Sequence, residues 1–398
     1  MRILLVHNFY QHPGGEDQGF AAEGQLLEAH GHEVVRYTVH NDAIDGMSRL
    51  ALVRNSIWNA RIAAELAAIV RQRRIEVAHF HNTFPLISPA AYSAVRSAGA
   101  AVVQTLHNFR LICLNAVLFR EGRVCEDCIG RLAPWPGVLR GCYRDSRAAS
   151  AVVASVLLTH RAIRTWQRNV DVFLTPSQFA ARKLIAGGAP VQRLRVYPNF
   201  VRPDPGVGNG EGGYALYVGR FSPGKGVSTL LEAWRHRNGL PPLKVIGDGP
   251  LAADVREAAA LGKLEWLGRR APAAVFEAMK KASCVVVTSE CYETFGRVAV
   301  EAFACGTPVA APDFGALAEI VEHGKTGRLF RASDPQDLKR QVSELMSDRE
   351  RLGQMRKAAR STYESRYSGA ESHRQLMAIY QQAIRRASPA GVPEQSSD

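Results

Sequence analysis

Two glutamates in the second half of the chain stand eight residues apart, on either side of a Phe-Gly pair. Glu293 lies in a predicted loop after a strand that ends at Thr288, and Glu301 lies in a helix predicted to begin near Gly296. A loop carboxylate can accept hydrogen bonds from sugar hydroxyls, and a carboxylate within the helix can hold the adjacent hydroxyls of a ribose. The N–H groups at the helix start favour an anion such as a diphosphate. Either glutamate alone would more often be a solvated residue, but the pair together indicates a ligand site.

A second group of charged residues follows a predicted strand at residues 214–218. Residues 219–227 read Gly-Arg-Phe-Ser-Pro-Gly-Lys-Gly-Val, so Arg220 and Lys225 supply two cations for phosphate oxygens. The glycines allow the backbone to approach a ligand closely. Basic glycine-rich loops are common, and this segment alone is weak evidence. Residues 247–250, Gly-Asp-Gly-Pro, form another tight loop but lack the Gly-Lys-Ser/Thr ending of a Walker loop.

Four of the seven cysteines cluster in the first half of the chain, at Cys113, Cys125, Cys128 and Cys142. One Cys-x2-Cys pair with two outlying cysteines can supply four thiolates to a structural zinc ion. A zinc ribbon would have two such pairs. The alternative is therefore a set of reduced cysteines that pack a long loop.

The elements that position these residues alternate between strands and helices in both halves. This alternation predicts two parallel sheets, each covered by helices on both faces. The predicted strands are residues 2–7, 33–38, 76–79, 101–106 and 171–175 in the first half, and 214–218, 243–246, 264–267, 284–288, 308–311 and 328–330 in the second. Open sheets of this kind bind ligands at the carboxyl ends of their strands, so the function is expected in a cleft between two α/β domains.

A run rich in proline and glycine at residues 203–213 predicts the boundary between the domains. We expect an N-terminal domain over residues 1–200 with a cysteine-containing insertion at 108–145, a linker over 201–213 and a C-terminal domain over 214–366. A helix over 367–387 is expected to cross back to the N-terminal domain, and residues 388–398 are expected to form a disordered tail.

The composition, 46% hydrophobic and 22% charged over 398 residues, excludes collagen-like, disordered and heptad-repeat proteins. The net charge of +13 favours anionic partners. The first 200 residues contain 23 basic and 14 acidic residues, and the remainder contains 27 and 23, so most of the surplus lies in the first half. Residues 147–168 combine apolar side chains with Arg161, Arg164 and Arg168, which fits either a helix on anionic lipid or a buried helix.

The beginning of the sequence and its cysteines predict a cytoplasmic location. The start, Met-Arg-Ile-Leu-Leu-Val-His, does not have the pattern of a secretory signal. Seven cysteines without such a signal fit a reducing compartment. With the basic first half, this allows a position at the inner face of the cell membrane.

Taken in order, these motifs resemble those of the retaining glycosyltransferases of family 4, the glycosyl transferases group 1, which have the GT-B fold. The matching segments of the second half are residues 219–221, 225–226, 247–250, 293–309, 319–321 and 324–327. Those of the first half are residues 13–17, 107–108 and 175–177, with Pro198-Asn199 before the linker. The resemblance covers nearly the whole chain and does not specify a substrate.

By position, the resemblance implies a nucleotide-sugar donor whose diphosphate meets Arg220 and Lys225 and whose ribose meets Glu301. Glu293 and the backbone of residues 295–297 would hold the sugar and its phosphate, and His107 would stand near the reacting sugar. A histidine that ends a buried strand is also often structural. The implied catalytic residues are Lys225, Arg220, Glu293 and His107, and the implied donor-binding residues are Gly14, Gly15, Gly219, Gly249, Phe295, Gly296, Arg297 and Glu301.

The resemblance also implies a mechanism in which the anomeric configuration of the sugar is retained. The acceptor hydroxyl, of a glycan or lipid-linked glycan, would attack from the face that the diphosphate leaves. Two cations and a helix start would then stabilise the leaving group, and catalysis would need no metal or other cofactor. Two departures from the family pattern are Thr294, where a glycine is usual, and Phe314-Gly315-Ala316, where Gly-Gly is often found.

Two other functions fit parts of the sequence. A sugar phosphorylase or epimerase could share the two-domain architecture. A basic metal-binding nucleic-acid module would need aromatic-rich basic surfaces, and only 8% of residues are aromatic, so nucleic acid is not expected as a partner. The donor base and sugar, the acceptor and the oligomeric state do not follow from the sequence.

Overall fold

The computed structural model describes residues 1–11, 14–236 and 239–388. The first half of the chain alternates strands with helices. In chain order its elements are β1 (Arg2–Phe9), α1 (Gly15–Ala29), β2 (Glu33–His40), α2 (Arg49–Ile57), α3 (Ala60–Arg73), β3 (Val77–Asn82), α4 (Ala90–Ser97), β4 (Ala101–Thr105), β5 (Phe119–Arg120), β6 (Arg123–Val124), α5 (Trp135–Leu139), α6 (Arg147–Ala162), α7 (Thr165–Asn169), β7 (Val172–Thr175), α8 (Gln178–Ala186) and β8 (Leu194–Val196). Short 3-10 helices at Asn41–Ile44 and Val191–Arg193 precede α2 and β8.

The second half repeats the alternation and ends in three consecutive helices. Its elements are β9 (Ala215–Val218), α9 (Val227–Ala233), β10 (Leu243–Ile246), α10 (Ala252–Ala260), β11 (Glu265–Trp266), α11 (Pro272–Lys281), β12 (Cys284–Val286), α12 (Arg297–Ala304), β13 (Val309–Pro312), α13 (Leu317–Ile320), β14 (Gly327–Phe330), α14 (Pro335–Ser347), α15 (Arg349–Arg366) and α16 (Gly369–Ala387).

Each half forms one six-stranded sheet, and the pairs within both sheets are parallel. The strand order is β2-β1-β3-β4-β7-β8 in the first sheet and β11-β10-β9-β12-β13-β14 in the second. Buried apolar side chains cover both faces of each sheet, as parallel sheets require. The predicted α/β architecture of two Rossmann-like domains facing across a cleft is confirmed.

The last helix returns to the N-terminal domain, as predicted. Leu376, Ile379 and Tyr380 of α16 are buried against Leu5 and Val103 of the first sheet. At the crossing, the Val201 N–H donates a hydrogen bond to the Tyr367 carbonyl over 3.1 Å. The chain therefore passes between the domains twice at one place. Apart from Ser388, the predicted tail over 388–398 lies outside the described residues.

The predicted linker and insertion both have ordered contacts. Residues 203–213 contain no helix or strand and lie along the C-terminal domain, where the N–H groups of Gly208 and Gly210 donate to the carbonyls of Cys305 and Lys280, each over 3.0 Å. The insertion over 108–145 contains the antiparallel β5–β6 hairpin and the short helix α5. In the described parts of the chain, every helix is too short or too polar to cross a bilayer.

Candidate active site

The two charged loops of the second half meet at one edge of their sheet. The strand order places β9 beside β12, although β10 and β11 lie between them in the chain. Ligands of open α/β sheets bind at the carboxyl ends of strands where the order reverses in this way. The loop after β9 contains Arg220 and Lys225, and the loop after β12 contains Glu293. The fold thus brings these predicted residues to one crevice.

Lys225 and Glu293 form an ion pair between these loops, from Nζ to Oε1. The Ser289 hydroxyl donates to the same carboxylate oxygen over 2.6 Å. Burial alone would lower the pKa of Lys225 and raise that of Glu293. The opposite charge of the partner outweighs burial in both cases, so the pKa of Lys225 lies above and that of Glu293 below its ordinary value. A ligand that enters here meets two charged groups that already bind each other.

Arg220 differs from Lys225 because its side chain is exposed. Within the described residues, no ion pair or side-chain hydrogen bond involves its guanidinium. Gly219 precedes it, and a Cβ at Gly219 would lie 3.0 Å from the Tyr217 hydroxyl. Gly226, after Lys225, has a φ of +64° and leaves no room for a Cβ, which would lie 1.9 Å from the Thr288 carbonyl oxygen. These contacts fix the loop and leave the arginine available to a ligand.

The start of α12 completes the crevice. Gly296 is the N-cap residue with a φ of 125°, and a Cβ there would lie 2.6 Å from Leu317. Phe295 is buried beneath the helix start, whose first N–H groups have no carbonyl partner within the helix. Arg297 Nε donates to Glu301 Oε1 over 3.0 Å. Burial raises the pKa of Glu301 more than Arg297 lowers it.

Gly249 lies where the loops after β9 and β10 are joined. The Phe221 N–H donates to the Asp248 carbonyl over 2.8 Å, and the Leu251 N–H donates to the Phe221 carbonyl over 3.0 Å. A Cβ on Gly249 would lie 2.5 Å from the Phe221 carbonyl oxygen. The close packing of these loops therefore accounts for this glycine.

Gly14 and Gly15 lie on the opposite side of the cleft, at the start of α1. The Gly14 N–H donates to Asp17 Oδ2 over 2.8 Å, and His7 Nε2, from the end of β1, bonds to Asp17 Oδ1 over 2.7 Å. A Cβ on either glycine would meet no atom within 4 Å. Packing among the described residues therefore does not explain why these two positions are glycines. Pro13 of this motif lies outside the described residues.

His107 follows β4, is half-buried, and lies beside the buried histidines His79 and His81. His81 Nδ1 lies 3.0 Å from His107 Nε2, and His81 Nε2 lies 3.2 Å from Glu23 Oε1 of α1. His79 Nδ1 lies 2.7 Å from the same Glu23 oxygen and 2.8 Å from the Tyr380 hydroxyl of α16. The sequence shows His79 and His81 at the end of a strand but contains no signal that links them to Glu23 or Tyr380.

Thr294 connects the two sides of the cleft. Its hydroxyl donates to the His107 carbonyl over 2.9 Å, and its own carbonyl accepts a hydrogen bond from the Ser177 hydroxyl over 2.7 Å. Glu319 adds a second link, since its carboxylate accepts from the Phe179 N–H at the start of α8 and from the Arg182 side chain of the same helix. A glycine at position 294 would lack the hydroxyl, so this departure from the family pattern creates a contact between domains.

Glu16 belongs to the matched motif at residues 13–17, but the sequence analysis assigned no role to it. Asn108 Nδ2 donates to its Oε1 over 2.5 Å, while its Oε2 is buried and has no hydrogen-bond partner among the described residues. Burial raises the pKa of this carboxyl to about 7. The neighbouring Arg110 has an unpartnered buried Nε. Position next to the Gly14-Gly15 pair was the only available signal.

The four cysteines of the insertion line one cavity of about 20 Å³. All are free thiols, and burial raises the pKa of Cys113, of Cys142 and, to about 11, of Cys128. In the described residues, only Glu23, His79 and His81 bring three ligand atoms within 4.8 Å of one another. The structure therefore gathers the cysteines around one cavity, but no three of these described sulfurs lie within 4.8 Å of one another, and zinc binding stays a prediction.

The insertion reaches the second domain through Phe119 of β5. A Cβ built on Gly224 would lie 3.1 Å from the Phe119 ring, so the ring rests on the backbone of the loop that contains Lys225. The loop beside the ion pair is therefore shaped in part by the N-terminal domain.

Two family models match consecutive parts of the chain. The model described as Glycosyltransferase Family 4 matches residues 14–205, and the model described as Glycosyl transferases group 1 matches residues 205–362. The boundary between them falls in the segment that joins the two sheets.

Several curated proteins are similar to part of the chain. An uncharacterized glycosyltransferase of Methanocaldococcus jannaschii is 37% identical over 161 residues, which are 40% of this chain and 45% of that protein. A D-inositol 3-phosphate glycosyltransferase of Thermobispora bispora is 29% identical over 186 residues, 43% of each chain. The chain thus spans less than half the length of these relatives in the matched segments.

Solved structures match over nearly the full length. Sucrose-phosphate synthase of Thermosynechococcus elongatus has a TM-score of 0.71 at 18% identity, covering 96% of this chain and 99% of its own. Anabaena HepE in complex with UDP-glucose has a TM-score of 0.65 at 19% identity, covering 96% and 99%. At this level of identity the likeness establishes the fold.

Proposed function

We infer that this chain, which belongs to the family 4 glycosyltransferases of group 1, transfers a sugar from a nucleoside diphosphate sugar to a hydroxyl acceptor with retention of the anomeric configuration. One observation supports this most strongly. Arg220, Lys225, Glu293 and the start of α12 meet at a single reversal of strand order, so cations, a carboxylate and free N–H groups converge on one crevice. A solved structure of the same fold, Anabaena HepE, is in complex with UDP-glucose, which supports a donor of this class.

In the proposed reaction the donor diphosphate binds between Arg220 and the start of α12, with Glu301 on the ribose. The bond from the anomeric carbon to the diphosphate breaks, and the acceptor oxygen forms the new bond on the same face. The acceptor proton passes to the departing phosphate oxygen. Lys225 and Arg220 stabilise the negative charge that develops there, so the proposed reaction requires neither a protein nucleophile nor a catalytic metal.

Glu16 and Arg110 form the proposed acceptor side. Both have a buried polar atom without a partner among the described residues, and both lie next to the Gly14-Gly15 turn or the His107-Asn108 segment. Buried polar groups are normally paired. We propose that hydroxyl groups of the acceptor supply the missing partners.

A lipid-linked acceptor would bring the N-terminal domain to an anionic membrane. Leu132 and Trp135 of the insertion are 81% and 51% exposed, and Arg131 stacks on the Trp135 ring at 5.2 Å. Aromatic and apolar side chains beside arginines suit the surface of anionic lipid. The lipid-binding surface proposed here is therefore not the helix at residues 147–168. One face of α6 is buried, and Arg161 donates to the carbonyls of residues 111, 131 and 132. Co-sedimentation with anionic vesicles, lost in Trp135→Glu, tests this proposal.

A thermal-shift screen with UDP, GDP, ADP and their sugars tests the donor, since a ligand that binds only the folded state raises its stability. We expect one nucleotide family to raise the unfolding temperature. The anomeric configuration of the product, measured by NMR with that donor, tests retention. Inversion would contradict the mechanism, and sugar 1-phosphate formation from inorganic phosphate would identify a phosphorylase.

For the cysteine cavity, we propose one structural zinc ion. The expected result of metal analysis is one equivalent of zinc in the purified protein and none in Cys125→Ser/Cys128→Ser, because all four thiolates are needed as ligands. Metal-free protein with four reactive thiols at Cys113, Cys125, Cys128 and Cys142 would contradict the proposal. Cys284→Ser, outside the insertion, is the matched control.

A further inference from the structure

Three side chains from three elements, two of them buried and the third half-buried, form a row that ends at the cleft. Glu23 comes from α1, His81 from the end of β3 and His107 from the segment after β4. The distances are 3.2 Å from Glu23 Oε1 to His81 Nε2 and 3.0 Å from His81 Nδ1 to His107 Nε2. The side chains of Glu23 and His81 are 4% and 1% exposed, so only His107 is placed to meet a ligand.

The carboxylate of Glu23, at the buried end of the row, determines which nitrogens of His81 and His107 carry a proton. Burial alone would raise the pKa of the Glu23 carboxyl, but His79 and His81 beside it outweigh burial and hold this pKa well below its ordinary value. The carboxylate can therefore only accept, and His81 must donate from Nε2. Burial lowers the pKa of His81 and of His107, which favours the neutral imidazole with one proton in both residues. His81 Nδ1 then accepts from His107 Nε2, and the Nδ1 lone pair of His107 remains free.

We propose that Glu23 and His81 are positioning residues that hold His107 in the tautomer protonated at Nε2, so that its Nδ1 accepts a hydrogen bond from a hydroxyl of the transferred sugar. The role of the sugar rests on the proposed function. His107 shares a small cavity of about 10 Å³ with Arg297 of the C-terminal domain. No described residue forms a hydrogen bond with His107 Nδ1. Thr294 holds the His107 carbonyl, so the backbone and the ring are both fixed.

Among the described residues, Glu23, His79 and His81 are the one group of three whose possible metal-ligand atoms all lie within 4.8 Å of one another. Their nitrogens already have hydrogen-bond partners, since His79 Nε2 lies 2.7 Å from the Thr105 hydroxyl and His81 Nδ1 lies 3.0 Å from His107. Hydrogen bonding therefore accounts for the cluster without a metal ion. Metal binding at this cluster is an outcome that the experiment distinguishes.

Nitrogen NMR of protein labelled with ¹⁵N-histidine measures the tautomer directly, with His107→Gln used for assignment. We expect the Nε2-protonated form of His107 in the native protein and a mixture of tautomers in His81→Leu, which removes the acceptor. His81→Asn should restore the native form, because its side-chain oxygen can take the place of the imidazole Nδ1. A His107 protonated at Nδ1, or an unchanged tautomer in His81→Leu, would overturn the proposal. So would one equivalent of metal that His81→Leu removes.

Release of nucleotide from the donor found in the screen gives the second readout. His81→Leu should lower kcat about 10-fold, since one oriented hydrogen bond is lost, with KM for the donor unchanged within twofold. His81→Asn should recover most of this loss. His160→Asn, at a buried histidine of α6 outside the row, is the control for folding. If no donor is turned over, the proposed function fails while the tautomer measurement still decides this inference.

Discussion

The two walls of the cleft are built in opposite ways. The wall formed by the C-terminal domain, called the donor wall below, contains ion pairs that solvent still reaches. The side chains of Lys225 and Glu293 are 33% and 22% exposed, and those of Arg297 and Glu301 are 25% and 17% exposed. The opposite wall uses buried histidines whose acidic partners, Asp17 and Glu23, come from one helix. A charged diphosphate can compete for pairs of the first kind. The second kind fixes the direction of neutral hydrogen-bonding groups, which suits recognition of hydroxyls.

The largest effect is expected where the donor wall loses the lysine of its Lys225–Glu293 pair. Lys225→Ala should lower kcat/KM for the donor by ~10²-fold or more, because the developing charge on the diphosphate loses a preorganised partner. Steady-state kinetics of nucleotide release measures this. Lys280→Ala, at a lysine of the same domain that pairs with Glu277, should be silent. A rate near that of the native protein in Lys225→Ala would contradict the proposal that the Lys225 charge stabilises the departing diphosphate.

Glu293→Gln separates the sugar from the nucleotide on the same wall. We expect the Kd of the donor sugar nucleotide to rise about 10-fold, since an acceptor for sugar hydroxyls is weakened, and the Kd of the free nucleoside diphosphate to stay the same or fall. Calorimetric titration with both ligands makes the comparison. Equal losses for the two ligands would assign Glu293 to holding Lys225 alone.

Thr294→Val tests whether the walls are held together. The substitution keeps the shape and removes the hydroxyl that donates to the His107 carbonyl. Loss of one hydrogen bond of about 1 kcal/mol predicts a rise of about fivefold in the donor KM. Thr294→Ser keeps the hydroxyl and should behave like the native protein. Equal kinetics for the valine and serine variants would show that the walls do not depend on this contact.

The smallest effect concerns stability and the buried carboxyl of Glu16. Its pKa of about 7 lies above the ordinary value, so between about pH 4.5 and 7 the folded protein retains a proton that the unfolded chain has lost. Stability therefore falls as the pH rises through this window. Glu16→Gln should raise the unfolding temperature by ~2–4 °C at pH 8 and leave it unchanged near pH 4.

Glu28→Gln is the matched control on the same helix. The pKa of Glu28 is lowered by its hydrogen bond to Arg36, so this substitution should not stabilise the protein at pH 8. An equal gain in both variants would show that the effect is a general one of charge on α1.

The two walls also differ in how far the sequence predicts them. Lys225 and Glu293 lie in compact motifs directly after strands, and the rule that parallel strands present their carboxyl ends at one edge is enough to bring them together. Glu23, His81 and His107 meet because α1 packs across the ends of two strands. Glu23 and His81 are 58 residues apart, and His79 and Tyr380 are 301 apart. Such contacts depend on tertiary packing that local patterns do not describe.

The fold shows the same limit. Hydrophobic runs predict eleven of the twelve strands of the two large sheets to within a few residues, but β8, only three residues long, has too few positions to show a pattern. The prolines and glycines at residues 203–213 predict the linker, but they do not predict its attachment to the C-terminal domain. Backbone hydrogen bonds such as that from Gly208 to Cys305 leave no trace in residue type.

The contact between the Phe119 ring and the backbone at Gly224 has a consequence for the design of chimeric enzymes. A hybrid that joins the C-terminal domain of this protein to the N-terminal domain of a relative would bring its own lysine and glutamates but would lose the aromatic ring beneath their loop. The loop that contains Lys225 would then lose a contact that it has in this chain. To keep that contact, the exchange would have to include the hairpin at residues 119–124 and the insertion that contains it.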